Sequence, residues 1–205
     1  MKGLLLLSGG FDSPVAGILM RRKNVEISAI HFSGKPFINE ATEQKAKVLA
    51  KLIRCDRIAI FPFGKIQAEV VKKCRHKLYY IITKRMMFRI AEAFAKENGY
   101  DFLVTGDNLG QVGSQTLKNM ALINSAVNIN ILQPLLTFDK QEIINLAKEL
   151  GTYDASVGPE MCCALGPKHP STAAKSDLVV SEEARLDTDN LIKEAFQNIE
   201  TEEIR

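Results

Sequence analysis

The sequence has no hydrophobic run that approaches the length of a membrane span. Its longest apolar stretch near the start covers only Leu4 to Leu7, whereas a transmembrane helix needs about 20 apolar residues. The same stretch lacks the length and the cleavage site of a secretory signal peptide. We therefore expect a cytoplasmic protein with no membrane partner.

Cysteine is scarce, with four residues in a chain of 205: Cys55, Cys74, Cys162 and Cys163. This number excludes the dense disulfide framework that small secreted domains use. In the cytosol these residues are expected to be mostly thiols, and a cysteine with a special role is more typical of catalysis or redox chemistry. The adjacent pair Cys162 and Cys163 suits neither a routine structural disulfide nor a CxxC metal knuckle.

Charge of one sign does not dominate the chain as a whole, whose formal net charge is +3. Residues 181–205 contain eight acids and three bases, whereas residues 65–97 contain nine bases and three acids. A basic region of this kind favours a polyanionic partner through the release of counterions. Solvated helix faces are the alternative interpretation of the same residues.

Apolar segments typical of strands alternate with amphipathic segments typical of helices. The alternation predicts an α/β fold, with a parallel five-stranded sheet and helices on both faces. The predicted strands are Lys2–Leu7, Val25–Phe32, Arg57–Phe61, Asp101–Thr105 and Ile131–Leu132. The predicted helices are Pro14–Arg22, Asn39–Ile53, Ile66–Cys74, Tyr79–Asn98, Ser114–Ile123 and Lys140–Leu150. Since ligands of such sheets bind beyond the carboxyl ends of the strands, the residues after each strand form the candidate site.

The regular alternation fades from about Met161. A last helix is predicted near Thr188–Ile199, capped by Asp187 or Thr188. We therefore divide the chain into a main domain, residues 1–176, and an acidic helical tail, residues 177–205. Opposite charges predict that this tail folds back on the basic region.

A glycine-rich loop, LLSGGFDS from Leu6 to Ser13, follows the first predicted strand. Gly9 and Gly10 allow a sharp turn with exposed backbone N–H groups, and the next helix points its positive end at the same place. An anionic phosphate is the natural ligand. Asp12 would repel it unless a divalent cation such as Mg²⁺ lies between them. The lysine of the Walker GK[ST] motif is missing, which excludes the common P-loop.

SGGxDS directly after a first strand resembles the loop of the PP-loop ATP-pyrophosphatases, which have an adenine nucleotide alpha hydrolase-like fold. Four further blocks are similar to the tRNA 4-thiouridine synthetase (ThiI) family. They read KRMMFRIAE (84–92), VTGDNLGQVGSQT (104–116), DKQEIINLAKELGTYDAS (139–156) and CCALGPKHP (162–170). The resemblance runs from about Leu4 to Pro170.

The resemblance implies an ATP site whose residues come from the ends of the first, second and fourth predicted strands and from the predicted helices that carry Lys84 and Gln115. Asp12 would hold Mg²⁺ and support adenylation, and Lys84 would stabilise the charge on the leaving pyrophosphate. A solvated helix face is the alternative for Lys84, and core packing is the expectation for Met86 and Met87. The implied ATP-binding residues are Leu6, Leu7, Ser8, Gly9, Gly10, Asp12, Ser13, His31, Phe32, Lys84, Gly106 and Gln115.

The reaction implied by the family adenylates a uridine of tRNA and then replaces AMP by a persulfide sulfur, giving 4-thiouridine. Cys163 best matches the reactive cysteine, and spacing does not separate its role from that of Cys162. The implied partners are tRNA and a persulfide donor such as a cysteine desulfurase. Cys55 and Cys74 are expected to be structural, although an iron–sulfur cluster held by Cys162 or Cys163 together with Cys74 is an alternative. His169 has no assigned role.

Family members usually carry RNA-binding domains before the loop, and some add a rhodanese domain after this region. The sequence has no room for the former before Ser8, and only 35 residues follow Pro170. We therefore expect tRNA to bind through the basic region alone, a separate RNA-binding subunit or a dimer. Two other functions stay open: an adenylating enzyme with a small acceptor, as in thiamine-related sulfur transfer or amide formation, and a non-catalytic nucleotide-binding subunit.

Overall fold

The computed structural model describes residues 1–37, 40–157 and 165–204. Within these ranges six strands form one sheet: β1 (Lys2–Leu6), β2 (Glu26–Ser33), β3 (Arg57–Pro62), β4 (Phe102–Val104), β5 (Ile131–Leu132) and β6 (Glu200–Glu203). The helices are α1 (Asp12–Arg21), α2 (Ala41–Ile53), α3 (Gly64–Lys73), α4 (Tyr79–Asn98), α5 (Leu117–Asn124), α6 (Lys140–Glu149), α7 (Tyr153–Ser156), α8 (Ser176–Glu183) and α9 (Thr188–Gln197). Short 3₁₀ turns lie at His76–Leu78 and Gly113–Gln115.

The strands are ordered β5-β4-β1-β2-β3-β6. Strands β1 to β5 are parallel, as predicted, and β6 pairs with β3 in the antiparallel direction. The sequence therefore predicted one strand too few. Glu200–Glu203 reads ETEE, a stretch with low intrinsic strand propensity. It is extended because it pairs with the open edge of β3, and this is a tertiary contact that local sequence does not report.

Helices cover both faces of the sheet, which confirms the predicted architecture. Successive side chains of β1 point to opposite faces, so Leu4 packs with α3, α4 and α5, whereas Leu5 packs with α1, α2 and α6. Both leucines are fully buried. The predicted helix at 114–123 is divided, because Thr116 is extended and its side chain caps α5 by accepting from the Asn119 N–H.

The tail lies against α4 and β3. Val179 of α8 and Ala195 of α9 are buried in the core on the α4 side of the sheet. The Asp187 side chain caps α9 by accepting from Asn190 N–H, which confirms the predicted last helix. The tail is not purely helical, because it also supplies β6. The division of the chain at residue 176 stays a prediction.

The basic region and the acidic tail contact each other through buried ion pairs. Arg85 lies 3.0 Å from Glu183 with both side chains almost fully buried, and Arg89 lies 2.8 Å from the same carboxylate. Arg75 lies 3.2 Å from Glu182. The tail therefore folds back on the basic region, as opposite charges predicted. Across residues 1–37, 40–157 and 165–204, no helix combines the length and the apolar character that a membrane span requires.

Candidate active site

A cavity of about 260 Å³ opens at the carboxyl ends of β1, β2 and β4. The chain runs from β1 to β2 and β3 on one side and then crosses back to β4 on the other side of β1. The carboxyl ends diverge at such a reversal of strand order and leave a crevice between them. The topology itself therefore explains where the cavity lies.

The loop after β1 is held in shape by its own serines. Ser13 Oγ accepts from Ser8 N–H at 2.9 Å and lies 3.0 Å from Ser8 Oγ, and Ser8 Oγ accepts from Gly10 N–H at 3.2 Å. Asp12 is the first residue of α1, and no side-chain cap covers the start of that helix at Phe11. The loop thus wraps the positive end of α1, where an anion is favoured.

Gly106 allows the loop after β4 to touch the start of α1. A Cβ atom on Gly106 would lie 2.5 Å from Ser13 N and 2.6 Å from Asp12 C, and both are backbone atoms that cannot move aside cheaply. Any larger residue would push the two loops apart. Glycine at this position therefore brings the end of β4 against the SGGFDS loop.

The structure brings together nearly all of the predicted site residues. Eleven of them line the cavity: Leu6, Leu7, Ser8, Gly9, Asp12, Ser13, His31, Phe32, Lys84, Gly106 and Gln115. Gly10 is buried within the same loop and does not line the cavity. Cys162 and Cys163 lie outside the described residues, so their position relative to the cavity stays a prediction.

His31 lines the cavity with a neutral imidazole ring. Its Nδ1 lies 2.9 Å from the Leu7 carbonyl oxygen, and because a carbonyl accepts, the proton of the neutral ring lies on Nδ1. Nε2 is then an acceptor, buried and without a hydrogen-bond partner among the described residues. Burial lowers the pKa of His31, although the bond to Leu7 and the charge of Glu43 act in the opposite direction. This end of the cavity suits a ligand that donates a hydrogen bond.

Asp107 connects the elements around the opposite wall. Its carboxylate pairs with Lys84 and accepts from Thr105 Oγ1 at 2.9 Å and from the side-chain amides of Gln115 and Gln133, each at 3.4 Å. Burial opposes ionisation of Asp107, but the charge of Lys84 and these hydrogen bonds outweigh burial and lower its pKa. Lys84 is therefore an oriented cation at the cavity wall and not a solvated side chain on a helix face.

Five more residues line the cavity: Thr42, Lys45, Met87, Thr105 and Asp107. Thr105 and Asp107 lie at the end of a predicted strand, among the residues expected to form the site, although neither was assigned a role there. No sequence signal pointed to Thr42 or Lys45. Met86 is fully buried, as expected for core packing, whereas its neighbour Met87 packs on the core and also reaches the cavity. Thr42 and Lys45 lie in the first turns of α2, one helical turn apart.

The two cysteines that the structure describes are both buried. Burial raises the pKa of Cys55 to about 12. Burial also raises the pKa of Cys74 to about 11, and its thiol donates to the Glu182 carbonyl oxygen at 3.3 Å. Neither residue is a ready thiolate, which agrees with the expectation for both.

Comparison with models of protein families identifies the family of the chain. The model of the family described as thiamine biosynthesis protein (ThiI) matches residues 1–188. The chain belongs to the ThiI family. The match includes the loop, the cavity residues after β2 and β4, and the block that contains Cys162 and Cys163.

Individual relatives agree with the family match. A probable tRNA sulfurtransferase of Macrococcus caseolyticus is 47% identical over 98% of this chain and 51% of its own length. The crystal structure of a 4-thiouridine synthetase–RNA complex with bound ATP superposes with a TM-score of 0.94 and 38% identity, over 100% of this chain and 55% of that one. The chain thus spans about half the length of the curated ThiI relatives it matches.

A more distant structure supports the fold alone. The ammonia-dependent NAD synthetase of Campylobacter jejuni has a TM-score of 0.58 at 14% identity, over 94% of this chain and 86% of that one. The ThiI chain therefore has the α/β fold that the loop motif predicted.

Proposed function

We propose that the protein adenylates a uridine of tRNA with ATP and then transfers a persulfide sulfur to it, which gives 4-thiouridine, AMP and pyrophosphate. One observation carries the proposal: a single cavity gathers a neutral acceptor, an aromatic wall, a helix-start phosphate loop, a carboxylate and a cation. The acceptor, the aromatic wall, the loop and the cation each match a part of ATP, and the carboxylate would hold the Mg²⁺ that accompanies its phosphates. A ThiI relative with the same fold has been crystallised with ATP and RNA.

The adenosine end of ATP fits beside β1 and β2. The acceptor Nε2 of His31 has no partner among the described residues, and it matches the exocyclic amino group of adenine, which donates. Phe32, next in the chain, lines the same wall. A buried acceptor without a donor is unfavourable in the empty protein, so a bound amino group gains the energy of satisfying it.

The phosphate end fits the Ser8–Ser13 loop. Asp12 is the residue that would hold Mg²⁺, since this ion is usually bound by one or two carboxylates together with substrate phosphates. Bound Mg²⁺ would neutralise the pyrophosphate leaving group. Lys84, oriented by Asp107, adds a fixed positive charge on the wall facing the loop.

The chemistry balances in three displacements. The uridine O4 attacks the α-phosphorus and pyrophosphate leaves. The terminal sulfur of a persulfide then attacks C4, and AMP leaves with the former O4. The S–S bond left on C4 is broken by a second thiol, which ends in a disulfide. We assign these thiols to Cys163 and Cys162, without ordering their roles.

The proposed partners are tRNA, bound with a separate RNA-binding subunit or in a dimer, and a persulfide donor such as a cysteine desulfurase. We also propose a cytoplasmic location, which fits the proposed partners.

The test is the release of AMP from α-labelled ATP, with Mg²⁺ and sulfide, in the presence and absence of unmodified tRNA. We expect AMP only when tRNA is present, and Asp12→Ala should abolish its release. AMP formation that is indifferent to tRNA would overturn the proposed acceptor.

The description of the matching family favours one second candidate, a thiamine-related sulfur transfer to a small acceptor. Such an enzyme would release AMP with a small molecule and without tRNA. The same labelled assay separates the two functions.

A further inference from the structure

We propose that Lys45 and Thr42 of α2 bind the terminal phosphates of the nucleotide, opposite the SGGFDS loop. The inference rests on the proposed function, since it assumes that the ligand of the cavity is ATP. It adds a second phosphate-binding element, one that comes from the helix after β2. Both residues line the same cavity as Ser8, Gly9 and Asp12.

Lys45 lies directly over the loop. A Cβ atom placed on Gly9 would be 3.3 Å from Lys45 Cδ and 3.7 Å from Lys45 Nζ. The ammonium group therefore faces the part of the loop that we assign to the phosphates. A compact ammonium with three donors suits phosphate oxygens at this position.

Thr42 carries an unused donor. Its side chain is only 6% exposed, and Oγ1 is buried without a hydrogen-bond partner among the described residues. A buried hydroxyl that lacks a partner costs free energy, so such groups usually bind backbone, water or a ligand. Because Thr42 lines the cavity, a phosphate oxygen is the ligand that the chemistry of the site supplies.

The start of α2 adds a favourable field. The helix has thirteen residues and begins at Ala41, after Glu40. Its positive end therefore favours an anion near Thr42. The acid in its first turn, Glu43, is already neutralised: it accepts from Ser33 Oγ at 2.5 Å and pairs with Lys35 at 2.9 Å.

Lys45 also has a structural contact that the experiment must separate from ligand binding. Its Nζ donates to the Ser156 carbonyl oxygen at 2.7 Å, which joins α2 to α7. A purely structural lysine would affect stability and the binding of all nucleotides alike. A phosphate-binding lysine would affect only ligands that carry the terminal phosphates.

The experiment measures the dissociation constants of ATP, inorganic pyrophosphate and AMP with Mg²⁺ for the unaltered chain and for Lys45→Met and Thr42→Val. We expect Lys45→Met to weaken ATP and pyrophosphate by about tenfold or more, the effect of one charge-assisted hydrogen bond. Thr42→Val should weaken them by about threefold, and AMP binding should not change in either variant. Lys45→Arg should restore most of the ATP affinity. Lys51→Ala, an exposed lysine on the same helix, is the matched control.

Equal losses for ATP and AMP in Lys45→Met, or no loss at all, would overturn the inference and leave the proposed function intact. Failure of the unaltered chain to bind ATP would overturn both. Melting curves of each variant identify a folding defect. If Lys45→Met does not fold, Thr42→Val tests the inference, because it leaves the contact between Lys45 and Ser156 in place.

Discussion

At the scale of single residues, burial of His31 makes stability depend on pH. The pKa of His31 is lowered from its ordinary value of 6.5 because burial disfavours the imidazolium. Just below that pH the unfolded chain binds a proton that the native protein does not bind, so the free energy of unfolding falls. The stability linked to His31 is complete above pH 6.5 and is lost as the pH falls toward the lowered pKa.

The variant His31→Asn tests this dependence, because its amide can replace Nδ1–H but does not titrate. Urea unfolding at about pH 7.5 and about pH 5.5 should show a smaller loss of stability in the variant than in the unaltered protein. The other histidines, His76 and His169, are exposed and serve as controls through His76→Asn. Equal losses in all three proteins would show that His31 does not control the acid response.

The residues of the site were predictable to the extent that they are close in sequence. The SGGFDS loop forms its own hydrogen bonds within six residues, so a local motif was enough to locate it. Thr42 and Lys45 reach the cavity only because α2 packs beside the loop, and Asp107 matters because it contacts Lys84 of α4. Contacts between distant segments have no local pattern.

At the scale of elements, Asn119 of α5 joins two loops that border the site. It is fully buried, and its Nδ2 donates to the carbonyl oxygens of Gly113 at 2.7 Å and Ser171 at 2.9 Å. Its Oδ1 accepts from Ala174 N–H at 3.0 Å. The first loop contains Gln115 of the cavity, and the second follows the block with Cys162 and Cys163.

Asn119→Leu should lower the free energy of unfolding by about 3 kcal/mol or more, because three backbone groups lose a buried partner and each costs about 1–3 kcal/mol. Chemical denaturation measures the change. Asn145→Leu, at an exposed position on α6, should change stability by less than about 0.5 kcal/mol. A similar small effect of Asn119→Leu would mean that these hydrogen bonds contribute little to the junction.

Elements with strong local signals were predicted almost residue for residue. α4 runs from Tyr79 to Asn98 as expected, because Gly99 follows it in the left-handed conformation that ends a helix. β6 was missed because its acidic sequence becomes a strand only beside β3. The difference is whether the stabilising contact lies within the element or outside it.

At the scale of the whole molecule, the acidic tail neutralises part of the basic region. Glu182 and Glu183 bind Arg75, Arg85 and Arg89, so these arginines are already paired within the chain. The bases of this region that remain exposed are concentrated before α4, at Lys65, Lys72 and Lys77. If this face contacts RNA, these lysines are the stronger candidates, because a phosphate need not displace a buried carboxylate to reach them.

Two truncations test whether the tail is part of the folded domain. Removal of residues 199–205 takes away β6 together with Ile199 and Ile204, which pack against the core. We expect a lower melting temperature with a transition that is still cooperative. Removal of residues 177–205 also takes away Glu183, which leaves Arg85 as a buried charge without its carboxylate. Losing one partner of such a pair costs about 3–5 kcal/mol. The longer truncation also uncovers Phe61, whose ring contacts the ring of Phe196 with 5.2 Å between centroids.

A domain of this kind has a total stability of about 5–15 kcal/mol. After these losses we expect the chain without residues 177–205 to be unfolded near room temperature and to show no cooperative melting transition. Melting curves followed by circular dichroism, together with solubility, measure the outcome. A chain of residues 1–176 that melts cooperatively at the temperature of the full protein would contradict this expectation. It would support the boundary at residue 176 and would make the tail an appendage that screens the basic region. Loss of the folded state would instead make α8, α9 and β6 structural parts of the domain that holds the nucleotide site.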